Sequence, residues 1–144
     1  MNIYLGSDHG GFELKEALKP FLIEAGHHVM DQGTDSPASV DYPDYAKAVG
    51  EAVLADEGSL GIVICGTGIG ISIAANKIKG IRAALCSEEF SARMARRHNN
   101  ANVLALGGRT TGVELAKSIV EVFLSETFEG DRHARRVQKI CGLE

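Results

Sequence analysis

Strand-like and helix-like patterns alternate along the whole chain. Short runs rich in β-branched and aliphatic residues are each followed by a longer stretch in which apolar residues recur at helical spacing. This alternation is typical of βαβ units, and several of the short runs are apolar throughout, as expected for parallel strands that are buried on both faces. The sequence therefore predicts a parallel sheet with strands over 2–6, 28–33, 60–65, 81–85 and 102–106.

The segments between the strand runs carry the end signals of helices. Gly26 stands where the first helix should end, and Pro20 inside that helix predicts a kink or break near Lys19, because proline lacks a backbone donor. Five later helices are predicted. The second helix starts after an Asp41 cap, the third covers Gly70 to Asn76, and the fourth runs from a Ser87 cap to His98. The fifth starts at a capping box, Thr111-x-x-Glu114, and the sixth covers Arg132 to Ile140.

Composition narrows the class of protein. The 144 residues carry 15 Lys+Arg and 19 Asp+Glu, a net charge of −4, and the pI is about 5.7. Nucleic-acid-binding domains usually have a pI above about 9, and a membrane span needs about 18 apolar residues, so neither partner is expected. No secretory signal is visible and the three cysteines lack C-x-x-C spacing, which predicts a cytoplasmic protein. The length predicts one domain over residues 1–144.

Polar or glycine-rich segments follow four of the predicted strands. In an open parallel sheet, ligands bind at the carboxyl ends of the strands, where loops converge and helix N-termini point at the site. We therefore expect one site at this edge of the sheet, built from Asp8 to Gly11, Asp41 to Pro43, Cys65 to Gly70 and Gly107 to Arg109.

The segment from Cys65 to Gly70 carries the strongest signal for chemistry. Its three glycines permit close approach of a ligand and leave amide groups free to bind a small anion or oxyanion. It matches neither the dinucleotide fingerprint, which needs glycine where Ile71 stands, nor a P-loop. A thiol near a helix N-terminus tends toward the thiolate form, so Cys65 is a candidate reactive group, whereas the other two cysteines are expected to be inert.

One histidine and three arginines are further candidates. His98 falls at the predicted end of a helix, where the helix dipole stabilises an imidazolium that can donate a proton. Arg132 and Arg136 lie one turn apart on a predicted helix and, together with Arg109, could bind a phosphate. The alternative for the helical pair, and for the group at 93, 96 and 97, is a solvated face.

The residues around the remaining histidines give less indication of a function. His9 shares a loop with Asp8 and two glycines and could bind an anion, while Asp8 could be only an Asx-turn residue. No histidine pair has metal-ligand spacing with a third ligand nearby, so no metal is predicted. The residues expected at the surface are His27, His28 and His133.

Five motifs stand in an order and spacing that resemble a known family. They are D-H-G-G-F at 8–12, D-Y-P at 41–43, C-G-T-G-I-G-I-S at 65–72 with A-A-N-K at 74–77, R-H-N at 97–99 and G-G-R at 107–109. The chain resembles type B ribose-5-phosphate isomerase over nearly its whole length. The resemblance implies a three-layer α/β/α Rossmann-like fold with a five-stranded parallel sheet, and a homodimer or dimer of dimers with active sites at the subunit interface. It also implies a pentose phosphate pathway enzyme with no cofactor and no metal.

The resemblance also assigns roles to matching residues. It places the base that removes the C2 proton on Cys65 and the ring-opening acid on His98, with Thr67 bonding to a substrate hydroxyl. The residues implied to bind substrate are Asp8, His9, Tyr42, Gly66, Thr67, Gly68, Ile69, Gly70 and Asn99, and those implied to bind phosphate are Arg109, Arg132 and Arg136. One branch of the family has glutamate as base at the position of Ile71, so this chain resembles the cysteine branch.

Three functions remain open at this stage. The first is interconversion of ribose 5-phosphate and ribulose 5-phosphate through a cis-enediolate. The second is the same chemistry on a six-carbon aldose phosphate, allose 6-phosphate or galactose 6-phosphate, because such relatives share the scaffold. The third is a module that binds FMN or a sugar phosphate without turnover, although no Trp and only three Tyr and five Phe are present to stack on a flavin.

Overall fold

Five strands set where every loop of the molecule lies. In the computed structural model, which describes residues 1–144, they are β1 (Asn2–Ser7), β2 (His28–Asp31), β3 (Leu60–Cys65), β4 (Ala83–Leu85) and β5 (Val103–Gly107). They form one parallel sheet in the order β2-β1-β3-β5-β4. The predicted five-stranded parallel sheet is confirmed, with β2 and β4 shorter than expected.

Five helices cover the two faces of the sheet, and a sixth packs against one of them. They are α1 (Phe12–Glu24), α2 (Tyr42–Ala55), α3 (Ile69–Asn76), α4 (Glu89–Asn99), α5 (Val113–Ser125) and α6 (Arg132–Cys141). α1, α4 and α5 pack on one face, α2 and α3 pack on the other, and α6 packs against α4. The three-layer α/β/α fold is thereby confirmed. None of the six helices combines the length and apolarity required of a membrane-spanning segment.

β3 is buried over its whole length and supplies side chains to both layers. Ile62 and Ile64 join a cluster of 19 buried residues beneath α1, α4 and α5, whereas Val63 and Cys65 join a cluster of ten beneath α2 and α3. Successive side chains of a strand point to opposite faces, so a central strand needs apolar residues at every position. Cys65 therefore ends β3 on the α2/α3 side of the sheet.

The predicted break near Lys19 is absent, because α1 continues through Pro20 to Glu24. Pro20 is exposed, while Leu18 and Leu22 on either side of it are buried in the core and hold both halves of the helix against the sheet. Packing therefore outweighs the loss of one backbone hydrogen bond.

Two helix starts differ from the sequence prediction. α4 is capped by Glu88 rather than Ser87, since the Glu88 carboxylate accepts a hydrogen bond from the Ser91 amide at 3.0 Å. α5 begins after Gly112, and the capping box at Thr111-x-x-Glu114 does not form. Thr111 is buried and its amide donates to the last carbonyl of β5, so this residue belongs to the turn before the helix.

Candidate active site

The loops that follow β1, β3 and β5 meet through their backbones. The Gly108 amide donates to the Cys65 carbonyl at 2.8 Å, and the Arg109 amide donates to the Gly66 carbonyl at 2.9 Å. A Cβ atom on Gly108 would lie 2.6 Å from the carbonyl oxygen of Gly10, and one on Gly10 would lie 3.0 Å from the Gly66 nitrogen. Only glycine permits this approach. The expected convergence of loops at the carboxyl edge is confirmed.

Cys65 lies at the centre of this convergence, 5% exposed. Its Sγ accepts a hydrogen bond from the Gly68 amide at 3.1 Å, at the N-terminus of α3. Gly68 has φ +79°, a left-handed conformation that glycine adopts without the strain a side chain would introduce. The sulfur therefore faces both an amide donor and the N-terminal end of α3.

Several amides around the thiol are unused by the fold. Those of Gly66, Thr67 and Gly70 donate to no group of the chain, so they are available to an oxyanion. The Ile69 amide is not available, because it donates to the Thr67 hydroxyl at 3.2 Å. The Thr67 hydroxyl thus accepts from the first amide of α3 in addition to any contact with a ligand.

Asp8 and His9 are held in fixed orientations beside the thiol loop. Asp8 is buried, and its Oδ1 accepts hydrogen bonds from the amides of Gly10 and Gly11 at 2.9 and 3.1 Å, which is the Asx-turn geometry. His9 Nδ1 accepts from the Val40 amide at 3.2 Å, so the proton of the neutral ring is on Nε2. His9 therefore offers an N–H donor, and Asp8 retains an Oδ2 with no partner in the chain.

Tyr42 and Arg109 border the same cleft. A Cβ on Gly70 would lie 2.6 Å from Cζ of Tyr42, so the phenol ring lies directly against the start of α3, with 39% of the residue exposed. The Arg109 guanidinium lies against Gly66, is exposed and forms no salt bridge. The carboxyl edge thus holds a cation without a salt bridge directly beside the thiol loop, since a Cβ on Gly66 would lie 3.3 Å from Nη1 of Arg109.

The other predicted residues lie at the opposite edge of the sheet. Helices that connect parallel strands run against the strand direction, so α4 ends at the amino edge, which places His98 and Asn99 there. Cys65 pairs with Gly107 at the carboxyl edge. The four residue steps from Val103 to Gly107 span about 13 Å at ~3.3 Å per residue. Cys65 and His98 of one chain therefore do not face a common cleft.

A histidine pair occupies this amino edge. His133, on α6, is 4% exposed and stacks on His98 with ring centroids 4.0 Å apart and an interplanar angle of 8°. The expectation that His133 is a surface residue is wrong, because packing of α6 on α4 buries it. Glu129 has carboxylate oxygens 3.9 Å from Nε2 of each ring. The i, i+4 spacing of Glu129 and His133 was a usable sequence signal, but nothing in the sequence linked either residue to His98.

The geometry of this cluster favours stacking over metal coordination. The donor atoms of the two histidines and Glu129 lie within 4.8 Å of one another. A metal ion bound by an imidazole nitrogen lies near the plane of that ring. The two rings are nearly parallel and stacked, with centroids 4.0 Å apart, so a position in the plane of one ring is outside the plane of the other. One ion would therefore have to displace a ring.

Two groups of arginines differ in how they are used. Arg132 and Arg136 are exposed and form no salt bridge. Arg93 and Arg97 bind the Glu126 carboxylate through Nε at 3.0 and 2.6 Å, so they hold the segment before α6 rather than forming a solvated face. The hydrogen bond from Arg97, and then that from Arg93, lowers the pKa of the Glu126 carboxyl.

Comparison with known proteins decides the family. Residues 3–140 match the family model described as Ribose/Galactose Isomerase. The chain belongs to this family. It is 52% identical to ribose-5-phosphate isomerase B of Escherichia coli over 142 residues, which cover 99% of this chain and 95% of the relative. It is 42% identical to a galactose-6-phosphate isomerase subunit of Clostridium acetobutylicum over 139 residues, which cover 96% of this chain and 80% of the relative.

Solved structures show the same ribose/galactose isomerase fold. A ribose-5-phosphate isomerase B of Clostridium thermocellum superposes with a TM-score of 0.97 at 55% identity, covering 99% of this chain and 97% of the other. The type B enzyme of Trypanosoma brucei superposes with a TM-score of 0.95 at 46% identity, covering 99% and 98%. The protein is accordingly a sugar-phosphate isomerase.

Proposed function

We propose that this isomerase interconverts ribose 5-phosphate and ribulose 5-phosphate within one domain formed by residues 1–144, using Cys65 as the base and no metal or organic cofactor. The observation that carries the proposal is the position of the Cys65 thiol. Its sulfur accepts a hydrogen bond from the Gly68 amide at 3.1 Å and lies among amides that donate to no group of the chain. A base that must remove a weakly acidic C–H proton needs neighbouring donors for the oxyanion that results.

The proton transfers follow from this arrangement. The Cys65 thiolate removes the C2 proton of the open aldose, and the electron pair of that bond forms the C1–C2 double bond as the carbonyl oxygen becomes negative. The free amides of Gly66, Thr67 and Gly70 stabilise the cis-enediolate. Cys65 then returns the proton to C1, the C2 hydroxyl loses its proton as the C2 carbonyl forms, and the C1 oxygen gains one. Atoms and charge balance without a redox partner.

Ring opening requires an acid that one chain does not bring to this cleft. We assign it to His98 of a second copy, since His98 and Cys65 lie at opposite edges of their own sheet. His98 donates its proton to the ring oxygen, the bond from that oxygen to C1 breaks, and the C1 hydroxyl loses its proton to give the aldehyde. Asn99 follows His98 in the chain and enters the same shared cleft.

Exposed apolar side chains around the thiol loop support such a pairing. On α3, Ile69 is 52% and Ile73 56% exposed, and Phe90 at the start of α4 is 65% exposed. Leu85 is also exposed and packs so close to Gly68 that a Cβ there would lie 2.6 Å from it. A second copy on a two-fold axis would cover this patch and complete two sites at once. The assembly is therefore a homodimer or a dimer of such dimers.

The same pairing collects the phosphate ligands. Arg109 lies at the carboxyl edge of one copy, and Arg132 and Arg136 would come from the amino edge of the other. All three are exposed and free of salt bridges, although the chain as a whole has a net charge of −4. Unpaired arginines can bind a phosphate bidentately, and that binding orients C1 and C2 of the sugar against Cys65. His9 contributes its Nε2–H as a further donor.

A substrate comparison tests the proposal. The greater identity to a ribose-5-phosphate isomerase than to a galactose-6-phosphate isomerase subunit favours the five-carbon sugar. We expect a higher kcat/KM for ribose 5-phosphate than for allose 6-phosphate or galactose 6-phosphate. A higher value for either six-carbon sugar would overturn the assignment of substrate. Turnover of none of them, with flavin absorbance in the purified protein, would favour a binding module instead.

A further inference from the structure

His133 is a buried polar residue that the proposed reaction leaves without a task. Its ring covers one face of the His98 imidazole at a centroid distance of 4.0 Å, while His98 itself remains about one-third exposed. The Nε2 of His133 is shielded from water and has no hydrogen-bond partner. A buried polar atom with no partner destabilises a fold, so the nitrogen does not explain the presence of this ring, and the stacked face of the ring is the feature left to explain.

The surroundings of His133 disfavour a positive charge on its ring. Burial lowers the pKa of His133 below its ordinary value, and the positive neighbours His98, Arg132 and Arg136 lower it further, while the Glu129 carboxylate opposes them. These are the charged groups that face the ring from α4, from the segment before α6 and from α6 itself.

The ring of His133 is also held in place. The Glu129 amide donates to the Arg97 carbonyl at 3.0 Å, and Glu126 binds Arg93 and Arg97, so the segment before α6 is fastened to the last turns of α4. The His133 amide then donates to the Gly130 carbonyl at 3.0 Å, at the start of α6. The two histidines thus sit on elements that cannot shift independently.

We propose that His133 is a positioning residue for His98, whose flat side chain packs on one face of the His98 imidazole and fixes the plane from which the proton is delivered. The proposal rests on the proposed role of His98 as the ring-opening acid. A small misorientation of a catalytic group lowers the rate strongly, so a fixed ring plane has value only if His98 acts on a bound sugar. The stacking surface, rather than the nitrogens of His133, carries this role.

Three variants separate stacking from mere filling of space. His133→Phe keeps an aromatic face and removes the unpartnered nitrogen, while His133→Leu and His133→Met keep the volume and lose the flat ring. We measure kcat and KM for ribose 5-phosphate, and in D2O the exchange of the C1 protons of ribulose 5-phosphate. The second assay needs enolisation alone, since this ketose has its terminal hydroxyl phosphorylated and is acyclic. Melting temperatures show which variants fold, and either the Leu or the Met variant, if folded, can represent loss of the flat ring.

The expected result is a fall in kcat of about tenfold for the Leu or Met variant. KM and C1 exchange should stay near wild type, and the Phe variant should keep most of its kcat. Wild-type kcat in the Leu or Met variant would overturn the proposal, as would a Phe variant as slow as they are. A rise in KM at constant kcat would also overturn it and would assign His133 to support of Arg132.

His98→Asn in the same assays distinguishes failure of the proposal from failure of the proposed function. If this variant loses ribose 5-phosphate turnover and keeps C1 exchange, His98 is the ring-opening acid, and the His133 results stand on their own. If it loses both equally, the role of His98 itself is wrong and the positioning proposal falls with it.

Discussion

The two edges of the sheet are built in different ways. The carboxyl edge is built mainly from backbone groups. Gly10, Gly66 and Gly108 let three loops come into contact, and the Cys65 thiol accepts a hydrogen bond from a backbone amide. The amino edge is a side-chain site, in which His133 stacks on His98 where α6 packs against α4. In the proposed mechanism the first supplies a base and oxyanion donors, and the second supplies an acid and free cations. Neither edge alone holds all the groups of the proposed mechanism, so the proposal requires the two edges to meet across two copies.

Removing the proposed base should have the largest effect. We expect Cys65→Ala to slow C1 exchange of ribulose 5-phosphate by about 10³-fold, because general-base catalysis contributes on this scale. Inhibition by inorganic phosphate should be unchanged, since the arginines bind the other end of the sugar. Cys141→Ala, at a partly exposed cysteine far along the chain, is the matched control. Exchange at the wild-type rate in Cys65→Ala would remove Cys65 as the base.

Removing the amino-edge cations should weaken binding rather than chemistry. Arg132→Ala and Arg136→Ala should each raise the phosphate inhibition constant about ten- to a hundredfold, which corresponds to roughly 1.5–3 kcal/mol for a charge-assisted contact. Arg135→Ala, on the same helix and also exposed, is expected to leave it unchanged. Equal effects of all three would mean that the helix acts only through its net charge, and unchanged inhibition would mean a solvated face.

Separating the carboxyl-edge loops should cost stability and activity together. The methyl group of Gly108→Ala would press on the Gly10 carbonyl oxygen, so we expect a loss of about 1–3 kcal/mol in the free energy of unfolding. Gly112→Ala is the matched control, because a Cβ there meets nothing within 4 Å. If urea unfolding gives the same free energy for both variants, the loops are not in the close contact described.

The smallest expected effect is a pH dependence at the amino edge. Because burial lowers the pKa of His133, the unfolded chain takes up a proton before the folded chain does as the pH falls, so stability decreases below the ordinary value of about 6.5. The drop in melting temperature from pH 7.5 to 5.5 should be smaller in His133→Phe than in wild type. Burial also lowers the pKa of His27, so part of the dependence of melting temperature on pH should remain in His133→Phe. Parallel curves for the two proteins would contradict this account.

The sequence predicted the carboxyl edge far better than the amino edge. The apolar run at 60–65 has the same bounds as β3. In a parallel sheet the loops that follow the strands all lie at the carboxyl edge. The position of Cys65 followed from that rule. Pro20, Ser87 and Thr111 were misjudged because their local preferences were outweighed by core packing, by the Glu88 carboxylate and by the turn after β5.

The amino edge depends on contacts that no local pattern encodes. His133 stands among Arg132, Arg135 and Arg136, which indicates a solvated helix when read alone. Its burial arises only because α6 returns across α4, 35 positions after His98 in the chain. Tertiary packing of this kind overrides local propensity. Motif resemblance named the residues of both edges, but only the topology showed that one chain keeps them apart.

Mixing two inactive variants tests the central claim most directly. Cys65→Ala and His98→Asn are each expected to lack ribose 5-phosphate turnover, and the two proteins are unfolded together and refolded as a mixture. In a mixed dimer, one cleft then combines the intact Cys65 of one copy with the intact His98 of the other, so random pairing should restore about one quarter of the wild-type activity. If the mixture stays as inactive as the two variants alone, Cys65 and His98 act within one chain and the account of the two edges is wrong.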